Sequence, residues 1–208
     1  SMHVETFMVG MLSTNCYVAS CPNAKEAILI DPGLDYTSEF HPIFEYIEEA
    51  NLKVRFIVNT HGHSDHVKAN VVFQEKYKVP VCIHQLDAHF IEGLEKDNPS
   101  DFVILEEGRL IQCGAETLRV MHTPGHTPGS ICLIGENLVF TGDTLFAGGI
   151  GRTDFPGGSI SDMGKSLERL TYLPDFLLIY PGHGATSIMG EEKRTNPFLN
   201  KGSVYELF

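Results

Sequence analysis

The sequence predicts an α/β fold, and three observations carry that expectation. Short apolar runs rich in Val, Ile, Leu and Phe alternate along the chain with stretches whose apolar residues recur at helical spacing. One such run, residues 54–58, has few polar residues, as expected of a strand covered on both faces. The pattern occurs in both halves of the chain, which suggests two sheets packed face to face with helices outside.

Residues 4–9, 16–19 and 27–30 read as strands, with breaks at Asn15 and at Pro22-Asn23. A helix follows, with Phe40, Ile43, Phe44 and Ile47 on one face and Glu45, Glu48 and Glu49 facing out. Residues 54–58 form the next strand, 67–77 a helix, 81–84 a strand and 85–94 a short helix. Residues 95–107, with Pro99 and many charges, read as a surface loop. In the second half, residues 109–111, 117–121, 130–134 and 137–141 read as strands. Residues 160–170 read as a helix and 176–180 as the last strand. A terminal helix over about 190–195 ends before Pro197.

The 208 residues suit one domain, 1–208, with a sizeable core. No apolar run is long enough to cross a bilayer, and no charged segment followed by an apolar one marks a signal peptide. A net charge of −12 argues against nucleic acid as partner, since phosphate binding needs a basic face. The five cysteines show no CxxC spacing and sit largely in apolar strands. They read as buried reduced thiols of a cytoplasmic protein, with a Cys16–Cys21 redox pair as the alternative.

The chemistry concentrates in His61-Gly62-His63-Ser64-Asp65-His66, directly after the run Phe56-Ile57-Val58. Three imidazoles and a carboxylate this close repel when charged and are hard to satisfy when buried neutral. A divalent cation resolves the conflict by taking the lone pairs. Three more ligand-type residues follow in glycine-containing turns, Asp143 and His183 directly after strands: His126 in Thr-Pro-Gly-His, Asp143 in Thr-Gly-Asp-Thr and His183 in Pro-Gly-His-Gly. Asp31, before Pro32-Gly33, reads either as an anchor for a ligand imidazole or as a plain turn residue.

The order His-x-His-x-Asp-His, then His, Asp and His, resembles the metallo-β-lactamase superfamily from the Asp31-Pro32-Gly33 turn to His183. Residues 146–159 and 192–198 resemble its short glyoxalase II-like hydrolases. The resemblance implies a four-layer αββα sandwich. It implies one metal on His61, His63 and His126, a second on Asp65, His66 and His183, and Asp143 bridging them. The implied cofactors are two divalent ions, zinc first, with iron or manganese as alternatives. The implied activity is hydrolysis of a thioester, S-lactoylglutathione or a related small acyl-thiol, by a metal-bridging hydroxide that Asp65 orients and whose proton it carries. Arg152, Lys193 and Arg194 are the candidate clamps for carboxylates of such a substrate. Asp rather than Cys at 143 disfavours a β-lactamase, and His63 rather than Glu disfavours a flavodiiron relative. A persulfide dioxygenase with one iron at the three-histidine site is the alternative. The chain stops twenty-five residues after His183, so most of the C-terminal glutathione-binding region of full-length glyoxalase II is expected to be absent. His3, His41, His84, His89 and His122 are expected to pack or to hydrogen-bond.

Overall fold

The computed structural model describes residues 1–91 and 101–200. Two six-stranded sheets stack face to face. The first contains β1 (His3–Val9), β2 (Thr14–Cys21), β3 (Glu26–Ile30), β4 (Lys53–Val58), β5 (Val81–His84) and β6 (Phe102–Leu105), in that spatial order. The second contains β7 (Leu110–Cys113), β8 (Glu116–His122), β9 (Ile131–Ile134), β10 (Leu138–Gly142), β13 (Leu178–Pro181) and β14 (Ser187–Ile188), with β14 on its far edge. A two-residue ladder of β11 (Leu145–Phe146) and β12 (Gly149–Ile150) projects from the end of β10.

Strand alternation sorts the apolar side chains into three layers. Tyr17, Ile28, Ile30 and Val58 of the first sheet meet Leu118, Val120, Ile131 and Phe140 of the second. On the outer face of the first sheet, Val18, Leu29 and Ile57 meet Ile43 and Ile47 of α1 (Phe40–Glu49) and Phe73 of α3 (Asn70–Tyr77). On the outer face of the second, Val139 and Ile179 meet Met163, Leu167 and Leu170 of α4 (Ile160–Leu170) and Met189 of α5 (Met189–Thr195). The result is the four-layer αββα sandwich. Its middle is ring-rich: Phe140 lies 5.3 Å from Tyr17 and 5.4 Å from Tyr180 between centroids.

The strand pairing aims the chain. β3, β4, β5 and β6 run parallel, as do β10 and β13. The C-terminal ends of β3, β4, β10 and β13 therefore share one rim with the β1–β2 turn. Asn15 ties the two sheets there, its side chain donating to the Pro181 carbonyl at 3.0 Å. The opposite rim holds the turns at 22–25, 51–52, 78–80 and 114–115.

Several expectations need correction. The loop assigned to 95–107 is partly strand: residues 102–105 pair in parallel with β5, an edge pairing that the neighbouring charges mask in sequence. Its portion 95–100 lies outside the described residues, as do 92–94 of the helix expected over 85–94, of which Gln85–Phe90 is a 3₁₀ helix. The helix expected over 67–77 is two helices, α2 (Ser64–Val67) and α3. It breaks where the Asn70 side chain turns to exchange two hydrogen bonds with Asn59, at 2.8 and 3.1 Å. The strand at 178–181 is not the last, because β14 pairs with it. β4 is not covered on both faces throughout, since Lys53 and Arg55 are exposed. All five cysteines are buried and free.

Phe140→Ala, removing a fully buried ring between the sheets, is expected to lower unfolding stability by about 3–5 kcal/mol. The midpoint of urea unfolding measures it.

Candidate metal centre

Four segments at the ligand-bearing rim bring the predicted residues together. The turn after β4 carries His61 and His63 into α2, which holds Asp65 and His66. The turn after β8 carries His126, the end of β10 carries Asp143, and the end of β13 carries His183. His61, His63 and His126 form one group whose donor atoms all lie within 4.8 Å of one another; Asp65, His66, Asp143 and His183 form a second.

Asp143 joins the groups. One carboxylate oxygen, Oδ2, lies 3.7 Å from His61 Nε2 and 3.4 Å from His126 Nε2. The same oxygen lies 3.3 Å from His183 Nε2, and Oδ1 lies 3.3 Å from His66 Nε2. Asp65 Oδ2 is 3.3 Å from His66 Nε2 and 3.2 Å from His183 Nε2. His63 Nδ1 stands 3.1 Å from His126 Nε2. Donors held at 2.0–2.1 Å around a tetrahedral ion are roughly 3.3–3.4 Å from each other. The cluster has that spacing.

Hydrogen bonds behind the rings decide which nitrogens face inward. His66 Nδ1 donates to Asp31 Oδ2 at 2.9 Å. Thr60 has one hydroxyl proton, which it gives to Asp31 Oδ2 at 2.6 Å; its oxygen is then an acceptor for His61 Nδ1 at 3.1 Å. His126 Nδ1 donates to the Arg152 carbonyl at 2.7 Å, and His183 Nδ1 to the Leu12 carbonyl at 3.2 Å. Four imidazoles are thus set as Nδ1–H tautomers with the Nε2 lone pair turned to the centre. Lone pairs and carboxylate oxygens facing one another repel unless a cation lies between them. Among the described residues, His61 Nε2 and Asp143 Oδ1 are fully buried without a hydrogen-bonding partner. These orphaned acceptors, and a donor set of imidazole and carboxylate, fit a divalent ion in each group.

Charge follows the same geometry. Burial, then the charge of His66, holds the His61 imidazole well below the usual histidine range, and burial, then His126, lowers that of His63. Burial also opposes charge on His66, but Asp143 and Asp31 outweigh it and raise its pKa. For His183, hydrogen bonds to Asp143 and Asp65 overcome burial and push the pKa up to about 10. The Asp65 and Asp143 carboxyls fall below the usual range: against burial, hydrogen bonds from His183 and His66 lower the first, and the charges of His66 and His61 the second.

Asp31 is held at φ +54°, a left-handed backbone that costs a non-glycine residue energy. Its Oδ1 also accepts the Thr60 backbone N–H at 2.8 Å, so one carboxylate aligns both His61 and His66. Gly182 must lack a side chain, because a Cβ there would lie 2.2 Å from Asp143 Oδ1. The other expected residues fare differently. Arg152 stands at the rim, but its exposed guanidinium pairs with Asp154 at 2.7 and 2.8 Å. The structure does not bring Lys193 and Arg194 to the cluster. Lys193 binds the Leu173 carbonyl and Asp175, in the segment that leads into β13, whereas His183 follows its end. Arg194 pairs with Glu191 on its own helix. Of the remaining histidines, His122 Nε2 donates to the Pro128 carbonyl at 2.7 Å and the ring stacks on His84 at 4.2 Å, and His3 and His41 pair with Glu5 and Glu45.

Sequence reasoning missed Asp87. This fully buried carboxylate accepts from Gly62 N–H at 2.8 Å, Gly129 N–H at 2.7 Å and the Thr127 hydroxyl at 2.7 Å. It clamps the His61–His63 turn to the His126 turn. Nothing in its local pattern, an acid in Gln-Leu-Asp-Ala, separates it from a surface residue.

A family profile described as the Metallo-beta-lactamase superfamily matches residues 9–183. Hydroxyacylglutathione hydrolase GloC of Haemophilus influenzae is 35% identical over 217 residues, covering 97% of this chain and 100% of its own. Among solved structures, the BLEG-1 B3 metallo-beta-lactamase superposes with a TM-score of 0.83 at 30% identity, over 95% of this chain and 100% of its own. ETHE1 from Myxococcus xanthus gives 0.82 at 31%, over 96% and 85%. TTHA1623 in a di-iron-bound form gives 0.80 at 34%, over 94% and 100%.

Two outcomes are expected. Asp87→Asn replaces an acceptor with a donor facing N–H groups, lowering stability by about 1–3 kcal/mol. It also weakens cation binding at the three-histidine group about tenfold or more, read by competition with a chromophoric chelator. Second, without a cation the neighbouring aspartates favour an added proton on the Nε2 of His66 and His183, so zinc binding at pH 7–8 is expected to displace protons and to tighten as pH rises. Titration calorimetry in buffers of different ionisation enthalpy reads the proton count; zero release contradicts the assignment.

Proposed function

The chain belongs to the metallo-beta-lactamase superfamily, and on that premise we propose that it is a binuclear metal-dependent hydrolase of thioesters, S-lactoylglutathione or a related acyl-thiol. His61, His63 and His126 would hold one ion and Asp65, His66 and His183 the other, with Asp143 between. The observation that carries this reading is the Asp143 carboxylate, 3.3–3.7 Å from nitrogens of both groups, with one oxygen buried and unpartnered. Zinc, iron and manganese all suit imidazole and carboxylate; zinc is the first assignment, and the di-iron form of TTHA1623 supports iron as the alternative. The likeness to GloC supports the substrate class.

When bound, such a pair of ions supplies hydroxide near neutral pH and polarises a carbonyl. The chain's part is orientation and proton transfer. Thr14 donates its hydroxyl proton to Asp65 Oδ2 at 3.1 Å, which fixes that carboxylate at the edge of the cluster. From there Asp65 orients the attacking water and relays its proton. The Asp31–Thr60 pair and the carbonyls of Leu12 and Arg152 hold the ring tautomers through turnover. A thiolate departs without protonation, so the reaction calls for no separate general acid.

Five buried, unpaired thiols support a reducing, cytoplasmic setting. No helix among the described residues is long and apolar enough to cross a membrane. A second reading, a persulfide dioxygenase with one iron on the three histidines, is supported by the likeness to ETHE1 and by the trio forming a group of its own.

Elemental analysis of protein from cells, alongside cleavage assays, tests the reading. Two divalent ions per chain and thioester hydrolysis are expected, with β-lactams in the same panel because of the likeness to BLEG-1. One iron per chain with oxygen uptake on glutathione persulfide would replace the hydrolase by the dioxygenase. Asp143→Ala should weaken both ions and abolish hydrolysis; a variant with two ions and full rate removes Asp143 from its bridging role.

A further inference from the structure

Resting on that reading, we propose that the acyl arm of the substrate is apolar and uncharged and lies in an aromatic cleft beside His63. The cleft, of about 550 Å³, is lined by Phe90, Pro128, Phe155 and Pro156 together with His63 and His89. That size suits a small organic group. The Phe90 and Phe155 rings each stand edge-on to the His63 imidazole, with centroids 5.7 Å away. An arm lying between them therefore ends at the three-histidine group, where the carbonyl must react.

Both rings are exposed for side chains of their size, at 38% and 41%, and both are held in place. A Cβ on Gly62 would lie 2.4 Å from the Phe90 ring, so the bare backbone of the metal-binding turn is what lets that ring approach. The Arg152 guanidinium stacks over Phe155 at 4.0 Å from its centroid.

The chemistry of the walls selects the arm. Among the described residues, no lysine or arginine lines the cleft. Two described cations near it are already neutralised: Arg152 by Asp154, and Lys68, beyond Phe90, by Asp35 at 2.6 Å. A carboxylate or an amide-rich thiol carrier placed there would lose water and meet only the imidazoles of His63 and His89 as polar side chains among the described lining residues. An alkyl or aryl arm leaves water favourably. The polar thiol half then extends away from this cleft, and acyl groups larger and more apolar than lactoyl are preferred.

The test is an NMR titration of metal-loaded protein with acetate, butanoate, hexanoate and octanoate, the product acids of a chain-length series. Affinity is expected to rise about two- to fourfold per methylene. Phe155→Ala and Phe90→Ala should flatten the series, and Phe155→Leu should retain much of the slope; metal content measured on each variant excludes loss of fold. A flat series in the unsubstituted protein, or a slope that Phe155→Ala leaves intact, overturns the proposal. Matched acyl thioesters separate this from the underlying reading. Length-dependent binding without cleavage of any thioester leaves the cleft assigned and removes the hydrolase, whereas cleavage with a flat series does the reverse.

Discussion

The structure turns on one electrostatic constraint: electron-rich atoms from five histidines and two aspartates converge on a space a few ångströms wide. Left to themselves these groups repel or take up protons. The surroundings prevent the rings from turning away. Asp31 holds both Thr60 and His66, and through Thr60 it holds His61. Two backbone carbonyls, of Leu12 and Arg152, do the same for His183 and His126. Most of these supporting atoms are buried or backbone, so they keep their geometry while the rim remains open to solvent.

The sandwich supplies what no single turn could. The first sheet delivers His61, His63, Asp65 and His66; the second delivers His126, Asp143 and His183. Several cross-ties between them gather at this rim. Asn15 binds the carbonyls of Pro181 and Gly184, Tyr17 donates to the Pro181 carbonyl, and Asp87 links the first sheet's turn to the second's. The centre is thus positioned by packing between the sheets, chiefly the Tyr17–Phe140–Tyr180 ring cluster beneath it.

Much of this was legible in the sequence. Short apolar runs reveal the central strands, because burial between layers demands them, and the six-residue histidine cluster announces its chemistry by composition alone. The fold layers and the seven converging side chains follow that reading. What stayed hidden has physical causes. A carbonyl that orients an imidazole has no residue signature, so Leu12 and Arg152 act through atoms common to every residue. Asp87 looks like any acid until its three donors are seen. Lys193 and Arg194 were misplaced because charge in the last turn of a helix reports nothing about which end of a neighbouring strand it meets. Strand β6 lies at a sheet edge beside a charged stretch, where one-sided pairing needs little apolar pattern. The interruption between α2 and α3 depends on a side-chain pair, Asn59 and Asn70, eleven residues apart.

All the reactive groups occupy one rim, and the turns at 22–25, 51–52, 78–80 and 114–115 occupy the other. Asn23, Ala24, Lys25 and Asn51 there are exposed, and Lys25, Asn51 and Lys78 already adopt left-handed turn conformations. A tether, reporter or immobilising tag grafted into those turns would sit a full strand length from the chemistry. The protein can therefore be anchored by its floor with its working mouth facing outward.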